Sequence, residues 1–221
     1  MEKHDQFAEY ITEFLREYSG LVKENTLKRY GNDLALFKLY FERYGPGDLR
    51  MLSWKHMEEF FSWWYLRQYI GCSLSGMRGL FATLKKFCLW LDKKGLAEYH
   101  TAWKQEESRI LKNNVERVLM WEREVAEKRA VDDVFWFEGD LEHTEVSEGW
   151  FKVIHTFRDK AALRDLDSNS AYIVRFEGLI ARYIKPGDII SAALCRDHKG
   201  FYINDNIVWF FYPPTASEYL R

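Results

Sequence analysis

Apolar residues recur at helical spacing along the first half of the chain. Phe7, Ile11, Phe14, Leu15 and Tyr18 mark a first helix over about 5–18, which stops near Ser19-Gly20. Leu27, Tyr30, Leu34, Phe37 and Phe41 give a second helix one apolar face, with Asn25 as N-cap and Tyr44-Gly45-Pro46-Gly47 as terminator. Ser53 caps a third helix, which carries Glu58 and Glu59 near its positive end. Its aromatic run of Phe60, Phe61, Trp63, Trp64, Tyr65 and Tyr69 covers most of the circumference and reads first as core packing. A fourth helix starts at Ser73 or Ser75 and ends near Lys94, with Gly95 as its C-cap. Met77, Leu80, Phe81, Leu84, Phe87, Cys88 and Leu91 line its buried side. From Ala102 to about Arg129 there is no Pro or Gly, and Trp103, Ile110, Leu111, Val115, Val118, Leu119 and Val125 give a long linking helix its apolar face.

After Ala130 the period changes. Short β-prone runs appear at Val134–Phe137, Trp150–Phe157, Tyr172–Phe176, Ile189–Leu194 and Phe201 to Tyr212. Lys185-Pro186-Gly187-Asp188 and His198-Lys199-Gly200 supply turns, the second closing an antiparallel hairpin, and Pro213-Pro214 stops the last strand. The expected class is α+β in two domains. Residues 1–100 form a four-helix bundle, 101–129 a linking helix, and 130–221 a small antiparallel sheet or barrel of the SH3-like or OB-like kind.

Charge modifies this picture. The 221 residues have a net charge of -2, which argues against a generic polyanion binder. Residues 1–100 carry 15 Lys/Arg against 13 Asp/Glu, however, and the remaining 17 cations and 21 acids lie beyond them. Between Arg67 and Lys94 the cations are Arg67, Arg78, Lys85, Lys86, Lys93 and Lys94, with Asp92 the one acid. On a helical wheel Ser75, Arg78, Lys85, Lys86 and Lys93 share a side away from the apolar one. No stretch reaches the roughly 20 apolar residues of a membrane span, and no secretory leader is evident, so a cytoplasmic location is expected.

Two stretches carry a resemblance. Glu24-Asn25-Thr26-Leu27-Lys28-Arg29-Tyr30-Gly31-Asn32-Asp33-Leu34 combines an Asn-Thr start with a following Tyr and an Asp-Leu. Ser75-Gly76-Met77-Arg78-Gly79-Leu80-Phe81-Ala82-Thr83-Leu84-Lys85-Lys86-Phe87-Cys88-Leu89-Trp90-Leu91, with Gly95-Leu96 after it, resembles a closing helix. In order and spacing they are similar to the N-terminal core-binding (SAM-like) domain of phage integrases and other tyrosine recombinases, over less than half of the chain. That resemblance implies one jaw of a clamp around duplex DNA. It places DNA contacts on Asn25, Thr26, Lys28 and Arg29 of the second helix, and on Ser75, Arg78, Lys85 and Lys86 of the fourth.

The family's catalytic half does not follow. A His-x-x-Arg occurs as His155-Thr156-Phe157-Arg158, but without the downstream Gly-His and spaced Tyr, and within expected strands. Glu98-Tyr99-His100 replaces the customary Asn-Pro exit. Phosphate-loop, dinucleotide, HExxH and GxSxG motifs are absent. Six scattered histidines and the cysteines Cys72, Cys88 and Cys195 lack metal-ligand spacing, so neither cofactor nor metal is expected. Asp132-Asp133 and Asp165–Asp167 read as turn acids, and Trp136-Phe137, Trp150-Phe151 and Trp209–Tyr212 as alternating core and surface, with a ligand or nucleic-acid groove as the second reading. The expected function is non-catalytic DNA binding, accessory to DNA integration or recombination of a mobile element. The alternative is a protein-interaction or small-ligand module, with the bundle as scaffold and a protein partner on the C-terminal domain.

Overall fold

A computed structural model describes residues 6–68, 71–98, 103–132 and 146–220. It is α+β: a helical N-terminal part precedes a closed five-strand barrel with an extra strand. The chain divides into two compact units between Asn113 and Asn114.

In the first unit, α1 (Gln6–Tyr18) and α2 (Glu24–Tyr44) follow the expected periodicity. Asn25 is not the N-cap of α2. Lys23 holds that place, its carbonyl accepting from Thr26 and Leu27 N–H at 2.8 and 3.0 Å, which puts Asn25 inside the first turn. Ser53 does cap α3 (Trp54–Glu59), donating its N–H to His56 Nδ1 at 3.1 Å. The helix then passes through a π-helical turn, Phe60–Trp64, into α4 (Tyr65–Gln68). Phe60, Phe61, Trp64 and Tyr65 are all buried across this turn. Ser62 Oγ donates to the Glu58 carbonyl at 2.6 Å within that turn.

Helix α5 (Leu74–Lys93) begins at Ser73, whose Oγ accepts from Gly76 N–H at 3.1 Å. Its end is closed by Leu96 N–H on the Leu91 carbonyl at 2.9 Å, with Gly95 in the left-handed region at φ 68°. Phe87 meets Phe14 edge-on at 5.4 Å, and Phe81 stacks on Phe61 at 3.8 Å. A fully buried ring of this kind stabilises the fold by about 1.5–3 kcal/mol.

Helix α6 (Gln105–Asp132) is the expected long helix, and the division between the units falls within it. In the second unit its Val115, Val118, Leu119, Trp121 and Val125 are buried. Six strands follow: β1 (Val146–Thr156), β2 (Lys160–Asp165), β3 (Ala171–Glu177), β4 (Ile189–Asp197), β5 (Gly200–Asn204) and β6 (Val208–Tyr212), with the short α7 (Ile180–Tyr183) between β3 and β4. Strand β2 is absent from the sequence reading, and the single run expected over Phe201 to Tyr212 is two strands. The run at Val134–Phe137 lies outside the described residues. The barrel closes in the order β1-β2-β3-β5-β4-β1, with β3 and β5 parallel and β6 added against β4. The hairpin of β4 and β5 pairs Cys195 with Tyr202 and Asp197 with Gly200.

Two buried acids join helix and barrel. Asp188 accepts from Arg117 Nη1 and Nη2 at 2.7 and 2.6 Å and from Lys185 N–H at 2.6 Å, and Arg117 also donates to the Tyr183 carbonyl. Asp205 accepts from Leu179 and Ile180 N–H, both at 2.7 Å, and from Trp121 Nε1 at 3.3 Å. Asp165 is the expected turn acid, accepting from Asp167 and Ser168 N–H at 2.8 and 2.9 Å.

Candidate nucleic-acid interface

Helix periodicity sorts the candidate residues. On α2, Asn25, Lys28, Arg29 and Asn32 are exposed and spaced as one outward stripe, while Thr26 is half-buried. On α5, Ser75, Arg78, Ala82 and Lys85 form the exposed stripe, and Lys86 turns aside and is half-buried. The two helices pack directly. A Cβ on Gly79 would lie 3.3 Å from Arg29 Cδ, so the glycine makes room for Arg29 against α5. One turn further on, Thr83 Oγ1 donates to Asp33 Oδ2 at 2.5 Å. One turn beyond that, Lys86 Nζ sits over the rings of Tyr18 and Tyr30, at 4.9 and 5.5 Å from their centroids.

The α2–α5 seam is therefore electrostatically mixed. Arg29 Nε is 4.0 Å from Asp33 Oδ2, and its guanidinium lies over Tyr30 at 5.6 Å. Burial pushes the Asp33 carboxyl above its ordinary range, against the opposing pull of Thr83 and Arg29. Lys86 is held by cation–π contacts with both tyrosines, each worth about 0.5–1 kcal/mol at such a site. Lys94 is fully engaged: its Nζ meets Glu13 at 2.8 Å and Glu17 at 2.5 Å, and Trp90 Nε1 donates to Glu17 at 2.8 Å. The Lys94 and Trp90 hydrogen bonds hold the Glu17 carboxyl below the usual range. Lys94 thus closes α1 onto α5 instead of contributing to an outward basic face.

Beside the seam, between α2, Tyr65 and the start of α5, lies an open depression of about 400 Å³ bordered by Asn32, Asp33, Leu36, Leu39 and Gly76. Tyr65 Oη reaches its rim, accepting from Ser73 N–H at 3.4 Å. Cys88 is fully enclosed, and burial pushes its thiol up to about 12, which leaves it an inert core residue. Among the described residues no three His, Cys, Asp or Glu side chains gather as a metal set, and no helix is long and apolar enough to cross a membrane.

His155 and Arg158, the isolated His-x-x-Arg, stand near the end of β1 and in the turn after it, both exposed. Around them the barrel carries cations that the sequence reading does not single out, namely Lys152, Lys160 and Arg164. Lys160 and Arg164 lie on β2, and their alternation with Ala161 and Leu163 is the signal that marks them as outward. Trp150 and Phe210 are stacked with ring centroids 6.1 Å apart, and Phe151 and Phe211 are buried; Trp150-Phe151 alternates as expected, whereas along Trp209–Tyr212 two exposed residues precede two buried ones, and Trp136-Phe137 lies outside the described residues. Searches of protein-family models, of curated proteins and of solved structures find no match to this chain.

Proposed function

We propose that the helical unit holds duplex DNA without cutting it, as a clamp-like module accessory to DNA integration or recombination. The observation that carries this reading is the pair of outward polar and basic stripes, Asn25-Lys28-Arg29 on α2 and Ser75-Arg78-Lys85 on α5, on two helices in direct contact through Arg29 and Gly79. Such a pair offers phosphate contacts, which position a protein on a duplex without reading its sequence. The four-helix arrangement is read as SAM-like on the same resemblance. The barrel's strand order, with β3 parallel to β5, favours the OB-like over the SH3-like kind.

A second reading, a protein-interaction module, is favoured by Lys86 and Lys94 being engaged within the unit and by the exposure of Leu39 at 60%. Fluorescence anisotropy against a labelled duplex separates the two. Contacts by Lys28, Arg29, Arg78 and Lys85 give a log–log salt slope of about -3.6, at about 0.9 per phosphate, hence roughly a 150-fold loss between 50 and 200 mM salt. The double change Arg78→Glu/Lys85→Glu removes most of that binding. A duplex bound equally well by that variant, or not bound at low salt by the unaltered protein, refutes DNA holding.

A further inference from the structure

The depression beside the α2–α5 seam has the chemistry of a ligand site separate from the outward basic stripes. Its volume of about 400 Å³ lies within the roughly 300–1,000 Å³ usual for small-molecule sites. Its apolar wall comes from both helices. Leu80, on the buried side of α5, is 1% exposed, while Leu36 is half-buried and Leu39 is 60% exposed. Asn32, Leu36 and Leu39 follow one another at helical spacing, so they run along one side of α2. Tyr65 Oη closes the far rim, held by Ser73 N–H at 3.4 Å.

Among the described residues that border the depression, Asp33 is the one charged side chain. Its carboxylate is half satisfied. Oδ2 accepts from Thr83 Oγ1 at 2.5 Å and lies 4.0 Å from Arg29 Nε, whereas Oδ1 accepts no hydrogen bond among the described residues. The side chain is 15% exposed, so water screens its charge weakly and a charged donor gains more there than on an open surface. Asn32, exposed at the same end, makes no side-chain hydrogen bond among the described residues and offers a second acceptor.

These groups select among ligands. An anion meets Asp33 and finds no cation on the border, and a plain hydrocarbon leaves Oδ1 unpaired. A guanidinium pairs best with both oxygens of a carboxylate, and Thr83 has taken one. An ammonium needs a single oxygen and turns its other protons to a neighbouring amide oxygen or to water. We infer that the depression binds a small organic ammonium with an unbranched apolar stem, the ammonium on Asp33 Oδ1 and Asn32, the stem along Leu36, Leu39 and Leu80. Asp33 and Leu39 are about 9 Å apart along α2 at about 1.5 Å per residue, so a stem of about six carbons reaches from the carboxylate to the exposed leucine. The site depends on none of the duplex contacts assigned to Lys28, Arg29, Arg78 and Lys85.

The test is titration of the whole isotope-labelled chain with n-hexylammonium, followed through backbone amide shifts in nuclear magnetic resonance. Saturable shifts are expected over 32–39 and 73–80, with a Kd on the order of 1 mM for a ligand of about seven heavy atoms in an open site. The uncharged n-hexanol and the stemless methylammonium should each bind about tenfold more weakly or worse. Asp33→Asn keeps an acceptor for Thr83 and should weaken n-hexylammonium about tenfold, and Leu39→Ser about threefold. Arg78→Glu/Lys85→Glu should leave this Kd within about twofold, which separates the site from duplex binding. Circular dichroism and melting establish that each variant is folded. Four results each overturn the inference. They are no saturable shift up to about 20 mM n-hexylammonium, n-hexanol binding as tightly as n-hexylammonium, a folded Asp33→Asn that binds as tightly as the unaltered protein, and saturable shifts from a lysine-bearing peptide alone, which would mark a protein-docking site.

Discussion

Replacing Asp188 by alanine removes a carboxylate that is fully buried and accepts three hydrogen bonds, two from Arg117 and one from the Lys185 amide. Burial pushes the Asp188 carboxyl upward, and the bidentate guanidinium pulls it back toward the ionised form. In the Ala variant Arg117 keeps the Tyr183 carbonyl as its acceptor, while its Nε already lacks a partner. A guanidinium whose side chain is 10% exposed then sits without its counterion, over the Phe211 ring. Breaking a buried pair from one side costs about 3–5 kcal/mol, whereas exchanging both partners for apolar residues of similar volume is close to neutral. Asp188→Ala is therefore expected to destabilise the barrel unit by about 4 kcal/mol. Arg117→Met should cost less, about 2 kcal/mol, because an orphaned carboxyl can take up a proton and become neutral. The double change Arg117→Met/Asp188→Leu should recover most of the loss. Urea unfolding followed by tryptophan fluorescence and far-UV circular dichroism measures all three, and a double-mutant cycle isolates the coupling. An Asp188→Ala loss below about 1 kcal/mol, or a double variant no more stable than Asp188→Ala, would show that the pair does not hold helix and barrel together.

Two further outcomes follow from single residues. Burial pushes the half-buried Glu122 carboxyl from 4.5 up to about 7, so the folded state keeps a proton that the unfolded chain releases. Stability from this group is full below about pH 4.5 and is lost as pH rises through about 7, by about 3 kcal/mol in all; Glu122→Gln should flatten that part of the pH profile, and parallel profiles from pH 5 to 8 would count against it. Gly178, at φ 87°, packs where an added Cβ would overlap the Asp205 carboxylate. Gly178→Ala should lower barrel stability by about 2–3 kcal/mol, read as a fall in melting temperature, and an unchanged melt would contradict the close packing.

The helices are legible because their apolar residues keep one period, and two of the starts carry a recognisable residue, Ser53 and Ser73, which cap as their hydroxyls allow. Asn25 misleads because Lys23, two residues earlier, already has the extended backbone of a cap, and its carbonyl collects the first N–H groups. The π turn could not be read from periodicity, because Phe60, Phe61, Trp64 and Tyr65 keep the i, i+1, i+4, i+5 spacing that an ordinary α-helix buries as well. Strand β2 is not legible in the sequence because Lys160-Ala161-Ala162-Leu163-Arg164-Asp165 has no β-branched or aromatic residue; neighbours on both sides make it a strand. Strands β5 and β6 read as one run in the sequence because the turn at Asp205–Asn206 carries no glycine or proline between two β-prone runs. Of the candidate residues, outwardness could be placed by spacing alone. The inward engagement of Lys86 and Lys94 could not, because Tyr18, Glu13 and Glu17 come from a helix some seventy positions earlier.

A ribosome delivers α6 before any strand of the barrel it belongs to. Arg117 must wait 71 residues for Asp188, and Trp121 waits 84 for Asp205. At a synthesis rate of about 5–20 residues per second, that is roughly 4–17 s in which the helix exists without its acids. Loop closure over such separations precedes any gain from the contacts, so the barrel is expected to fold late and slowly relative to the helices ahead of it. For that interval the apolar side of α6 is a transient liability, open to chaperones and to other nascent chains.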